Sequence, residues 1–82
     1  MEPKTNDIGY AVDALKAGHR VARKGWNGKG MHLELQVPDA HSKMSRPYVY
    51  MKTADDQLVP WTCSQSDLLA DDWVIEYEKT AQ

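Results

Sequence analysis

Arg23, Lys24 and Lys29 flank a glycine-rich stretch, Gly25-Trp-Asn-Gly-Lys-Gly30, within the segment Ala22–Leu35. Three of the five glycines of the chain fall here: Gly25, Gly28 and Gly30. Glycine lets the backbone approach a ligand closely and adopt positive φ. Guanidinium and ammonium groups suit phosphate, and an indole face suits a nucleobase or another flat ring. Together these types fit a binding module for a phosphorylated, ring-containing ligand, with Trp26 and Asn27 at the tip of a turn. The same residues also make a plain hairpin connection, because Asn-Gly is the favoured type I′ pair.

Other chemistries find less support. Cys63 is the single cysteine, which rules out an internal disulfide and a thiolate zinc cluster. No histidine is placed beside it to activate a nucleophile, so packing is the simpler reading. His19 lacks partners at metal-ligand spacing. Asp55-Asp56 and Asp71-Asp72 are adjacent pairs whose side chains diverge, which suits a turn and a helix stop better than acid–base catalysis. The chain has no P-loop and no G-x-G-x-x-G opening a helix. The residues argue for a binder over an enzyme.

The elements that must position the turn follow from periodicity. Ile8, Ala11, Val12 and Leu15 recur at i, i+3, i+4 and i+7, one face of a helix capped by Asn6 or Asp7 and closed at Gly18. His19 to Gly25 reads as a strand leading into the turn. Met31 to Val37 is the clearest strand, with Met31, Leu33, Leu35 and Val37 toward the core and His32, Glu34 and Gln36 outward. Asp39 to Arg46 is a polar loop, either a flap or a connector. Pro47–Lys52 and Leu58–Thr62 are further strands, and Pro60 places the second at an edge or a bulge. Ser64 opens a short helix with Asp67 reaching back as a capping-box variant. Trp73–Tyr77 is the last strand, with Trp73, Ile75 and Tyr77 on one face. The fold class is α+β: a small, mostly antiparallel sheet of about five strands, with an N-terminal helix and a short helix before the last strand.

Length and composition set the frame. Residues 1–82 form a single domain with frayed ends at 1–6 and 79–82. A chain of 82 residues buries about 60–65% of its unfolded surface, so association with copies of itself would help. The net charge of -2 hides a partition. Ala14–Leu33 contains no acid but five bases, while the remainder is acidic. This favours a small anion, and it is too sparse for a duplex DNA footprint. The N-terminus shows no apolar segment of the signal-peptide kind, and no apolar run approaches bilayer length. A cytoplasmic protein without membrane contact is the expectation.

Two longer stretches carry a family likeness. Ala14-Leu-Lys-Ala-Gly18 with Val21-Ala-Arg-Lys-Gly-Trp-Asn-Gly-Lys-Gly-Met31 is the first. Pro47-Tyr-Val-Tyr-Met-Lys-Thr-Ala54, Leu58-Val-Pro-Trp61 and Ser64-Gln-Ser-Asp-Leu-Leu-Ala-Asp-Asp-Trp73 form the second. They resemble the small phage and prophage family of Thoeris anti-defence proteins, second type. The resemblance covers nearly the whole chain and is weakest over Asp39–Arg46.

It implies a sponge: a protein that binds cyclic ADP-ribose-type immune signals and holds them uncleaved, in the cytoplasm of the infected host. Some members also take up cyclic dinucleotides at separate sites. Members assemble as homotetramers with pockets between subunits. No cofactor, metal or catalytic residue is implied. For such a ligand, Trp26 and Trp61 are candidates for stacking on the base. Arg23, Lys24, Lys29 and the Gly28–Gly30 backbone are candidates for the pyrophosphate. Asn27, Ser64, Gln65 and Asp67 could hydrogen-bond ribose hydroxyls or base edges. Trp61 and Asp67 have structural alternatives, as packing and as a cap. An enzyme degrading the signal, or an inhibitor binding a host protein, remain alternatives.

Overall fold

Five antiparallel strands and two helices make up the computed structural model, which describes residues 6–26 and 30–76. In chain order they are α1 (Ile8–Lys16), β1 (Arg20–Arg23), β2 (His32–Gln36), β3 (Tyr48–Lys52), β4 (Leu58–Pro60), α2 (Gln65–Leu68) and β5 (Trp73–Glu76). The sheet order is β4-β3-β2-β1-β5, so the first and last strands of the chain are neighbours. The α+β class, the opening helix and the short helix before the last strand agree with the sequence reading.

Asp7 caps α1, accepting the Tyr10 backbone N–H at 3.0 Å. Asn6 has a different task. Its carbonyl accepts the Trp73 N–H at 3.0 Å and its side-chain amide donates to the Trp73 carbonyl. That tie links the start of the described chain to β5, where a loose tail had been expected. At the other end Gly18 takes φ +95°. The N–H groups of Gly18 and His19 then return to Leu15 and Ala14, a Schellman closure that needs the left-handed conformation.

Helix α1 lies across β5, β1 and β2. Its buried residues are Ala11, Ala14 and Leu15, which pack on Val21, Leu33 and Trp73. Val12, assigned to the core face by its spacing, is 38% exposed. The buried stripe is rotated toward Ala14, because two alanines let the helix sit close on the sheet.

Paired residues share a face, which sorts the sheet. Val21 pairs with both Leu33 and Ile75, and Leu33 with Met51. These face the helix, together with Leu35, Val49 and Trp73. Val37 was also expected in the core, but it lies beyond the end of β2 and is 64% exposed.

The opposite face carries Ala22, His32, Glu34, Tyr50 and Lys52. There the Glu34 carboxylate accepts from Arg20 Nε at 3.0 Å and from the Tyr50 hydroxyl. The outward row of β2 is thus partly tied up in a polar network. Pro60 sits on the edge strand β4, where its missing N–H costs no ladder bond. Among the described residues no helix is long and apolar enough to cross a membrane.

Candidate functional site

Trp73, wholly buried at the start of β5, is the floor of an indole cluster. Trp26, just after β1, meets it edge-on with centroids 5.5 Å apart and planes at 79°. Trp61, just after β4, meets it likewise at 6.1 Å and 88°. Both outer rings are half-buried, so each keeps surface for a ligand. Edge-to-face geometry is favoured by the ring quadrupole and holds the three rings in a defined arrangement.

A charged cluster adjoins the rings. Arg23 leaves the end of β1 and donates from Nε to Asp72 Oδ1 at 2.7 Å and from Nη1 to Asp67 Oδ1 at 2.9 Å. The three side chains are mostly shielded, with 21%, 28% and 13% of their surface exposed for Arg23, Asp72 and Asp67. The Arg23 bond holds the Asp72 carboxyl below the usual carboxylate range, aided by the Gly25 N–H. Asp72 also binds the turn, because its Oδ2 accepts the Gly25 N–H at 2.9 Å and its carbonyl accepts the Lys24 N–H at 3.1 Å. A Cβ placed on Gly25 would lie 3.1 Å from that Oδ2, so glycine permits the close approach. Asp67 completes the cluster. Its Oδ1 lies 3.4 Å from Trp26 Nε1, and its carbonyl accepts Trp73 Nε1 at 3.1 Å.

The sequence-predicted residues therefore converge in part. Arg23, Trp26 and Asp67 share one hydrogen-bonded cluster, and Trp61 joins it through Trp73. Lys24 is exposed beside it. Ser64 caps α2, its hydroxyl accepting the Asp67 N–H at 3.1 Å, and Gln65 is exposed on the first position of that helix. Gly30 takes φ +78° ahead of β2, a conformation suited to glycine. Asn27, Gly28 and Lys29 lie outside the described residues.

One local expectation is corrected. The Asp67 carboxylate does not reach back to complete a capping box; it turns to Arg23 and Trp26, where a charged donor outbids a backbone amide. One member of the cluster is not legible as such in the sequence: Asp72, adjacent to Asp71 and suited to a helix stop, is the second carboxylate on Arg23. The usable signal was the charge partition, since an acid-free basic segment needs acids from elsewhere as partners.

Among the described residues no group of histidine, cysteine and carboxylate side chains could hold a metal ion. Cys63 donates its thiol to the Ser64 carbonyl at 3.6 Å.

Residues 6–76 match the Thoeris anti-defense 2-like domain. The chain belongs to this family. It is also similar to the Thoeris anti-defense 2 protein of Bacillus phage SP01, with 39% identity over 81 residues, covering 83% of this chain and 91% of that protein. The family match takes in every described residue, including all three tryptophans and the Arg23–Asp67–Asp72 cluster.

Proposed function

We propose that this chain is a phage anti-defence protein that sequesters a cyclic ADP-ribose-type signal inside the infected bacterium, without cleaving it, and so blocks Thoeris immunity. Family membership and the name of the SP01 relative support the anti-Thoeris part. The observation that carries the binding part is the pair of half-buried indoles, Trp26 and Trp61, held on Trp73, with the Asp67 carboxylate at the Trp26 ring nitrogen. Adenine stacks on an indole, hydroxyls of ribose pair with short polar side chains, and the pyrophosphate meets Lys24 and the glycine-rich turn.

Desolvation and the nearby Asp67 carboxylate push the Cys63 thiol up, which speaks against a cysteine nucleophile. Magnitudes favour a pocket shared between copies. Holding a signal at nanomolar levels takes about -12 kcal/mol. Stacking of the single purine contributes about 1–3 kcal/mol of that. The remainder calls for charge contacts and near-complete enclosure, which a homotetramer with pockets between subunits would give a domain this small.

The test is recovery of the ligand. The protein is incubated with cyclic ADP-ribose isomers, separated from free ligand, heat-denatured, and the supernatant chromatographed. Intact ligand released on denaturation is the expected result. A new product would make the protein an enzyme. No uptake of any cyclic nucleotide, with a host protein bound instead, would make it a protein–protein inhibitor.

A further inference from the structure

Arg23 looks like an anion-binding residue by type and position, yet its surroundings are wrong for that task. Its guanidinium is shared by two carboxylates, Asp67 at 2.9 Å and Asp72 at 2.7 Å, so the cluster carries a formal charge of -1. A phosphate brought to Arg23 would meet both carboxylates at close range, where like charges repel strongly away from bulk water.

Asp67 has the complementary property. Oδ1 serves both Arg23 and Trp26 Nε1, while Oδ2 accepts no hydrogen bond among the described residues. Nor is Oδ2 sealed away, because no buried side-chain oxygen or nitrogen among the described residues lacks a partner. A spare carboxylate oxygen thus stands at the edge of a half-buried indole, fixed from behind by a guanidinium. Carboxylate oxygens accept from ribose hydroxyls in nucleotide-binding sites.

We propose that Asp67 reads a furanose hydroxyl of the bound nucleotide through Oδ2, and that Arg23 is the positioning residue that aims it, braced by Asp72, with the phosphates going to cations other than Arg23, Lys24 among them. This rests on the nucleotide-binding reading above. It assigns specificity to the sugar: a ligand lacking the hydroxyl would leave a charged acceptor desolvated and unpaired.

The experiment uses the full chain and three probes: cyclic ADP-ribose, adenosine and 2′,3′-dideoxyadenosine. Binding is followed by calorimetry and by the Trp26 indole N–H resonance, which touches Asp67 directly. Wild-type protein should prefer adenosine over its dideoxy analogue by about ten- to a hundredfold, the value of a hydrogen bond to a charged group. Asp67→Asn should erase that preference while leaving dideoxyadenosine affinity unchanged. Arg23→Gln should erase it too, and Arg23→Lys should restore part of it. Lys24→Ala should weaken cyclic ADP-ribose and leave the preference intact.

Equal weakening of both nucleosides by Asp67→Asn would mean a structural role and overturn the proposal. So would a loss confined to cyclic ADP-ribose in Arg23→Gln, which would mean direct phosphate contact. Adenosine that fails to move the indole signal while cyclic ADP-ribose binds would also overturn it. A wild-type protein that binds no cyclic adenine nucleotide would instead remove the functional reading, and the sugar assignment with it.

Discussion

Trp26 has two jobs that one substitution can separate. It packs edge-on against Trp73 and donates toward Asp67, and its remaining surface is offered to a ring. Trp26→Ala should cost about 1–2 kcal/mol of stability from the lost ring pair and hydrogen bond. In a domain this small that lowers Tm by about 4–8 °C per kcal/mol. Capture of the nucleotide should disappear while the far-ultraviolet circular dichroism persists, and calorimetry checks it; unchanged affinity would remove Trp26 from the site. On the open sheet face, the hydrogen bond to Glu34 and then burial raise the Tyr50 hydroxyl from its ordinary 10.0 to about 12. A raised folded value means stability that is complete below the unfolded pKa and is lost as pH climbs through about 12. Absorbance titration of the phenolates should show one tyrosine ionising late, and Glu34→Gln should bring it back. Asp72 runs the other way. Its depressed carboxyl adds stability that is present above the ordinary 3.8 and is lost as pH falls through the lower folded value. Wild type and Asp72→Asn should therefore differ most in Tm near neutral pH and converge in strong acid.

Helix α1 is the element on which the sheet depends, because it packs across β5, β1 and β2. Nine residues form a marginal helix by themselves, so the caps matter. Asp7→Ala removes the acceptor for the Tyr10 N–H and should cost about 1 kcal/mol. A urea titration should show a lower midpoint with an unchanged slope. The short α2 contributes little burial of its own, with no buried residue. Its use is to present Asp67, which lies on the segment between β4 and β5 and reaches back to β1.

Across the whole molecule, seven apolar residues among those described are buried, a small core for a chain of 82 residues. Tyr48 and Leu58 lie exposed on the face opposite the helix, where no element of the described chain covers the sheet. Association by that face would bury them and add to a limited stability. The proposed tetramer therefore predicts a Tm that rises with protein concentration, by mass action. Differential scanning calorimetry over a wide concentration range checks this; a constant Tm with a monomer mass in ultracentrifugation would exclude the assembly.

The sequence by itself determined what depends on a few neighbouring residues. Asp7 and Gly18 mark the ends of α1, alternation marks β2, and Pro60 marks an edge strand, because caps, pleat and a missing N–H act locally. Even there, the rotation that buries Ala14 and exposes Val12 was set by how closely the helix meets the sheet. Only the tertiary structure decided the composition of the site. Arg23 is separated from Asp67 by 44 positions and from Asp72 by 49, and neither spacing encodes a contact. They meet because β5 returns to pair with β1, setting Arg23 opposite Trp73. Strand adjacency is a property of the closed sheet, so the carboxylates that neutralise Arg23 and the ring that seats Trp26 come into being only when the last strand docks.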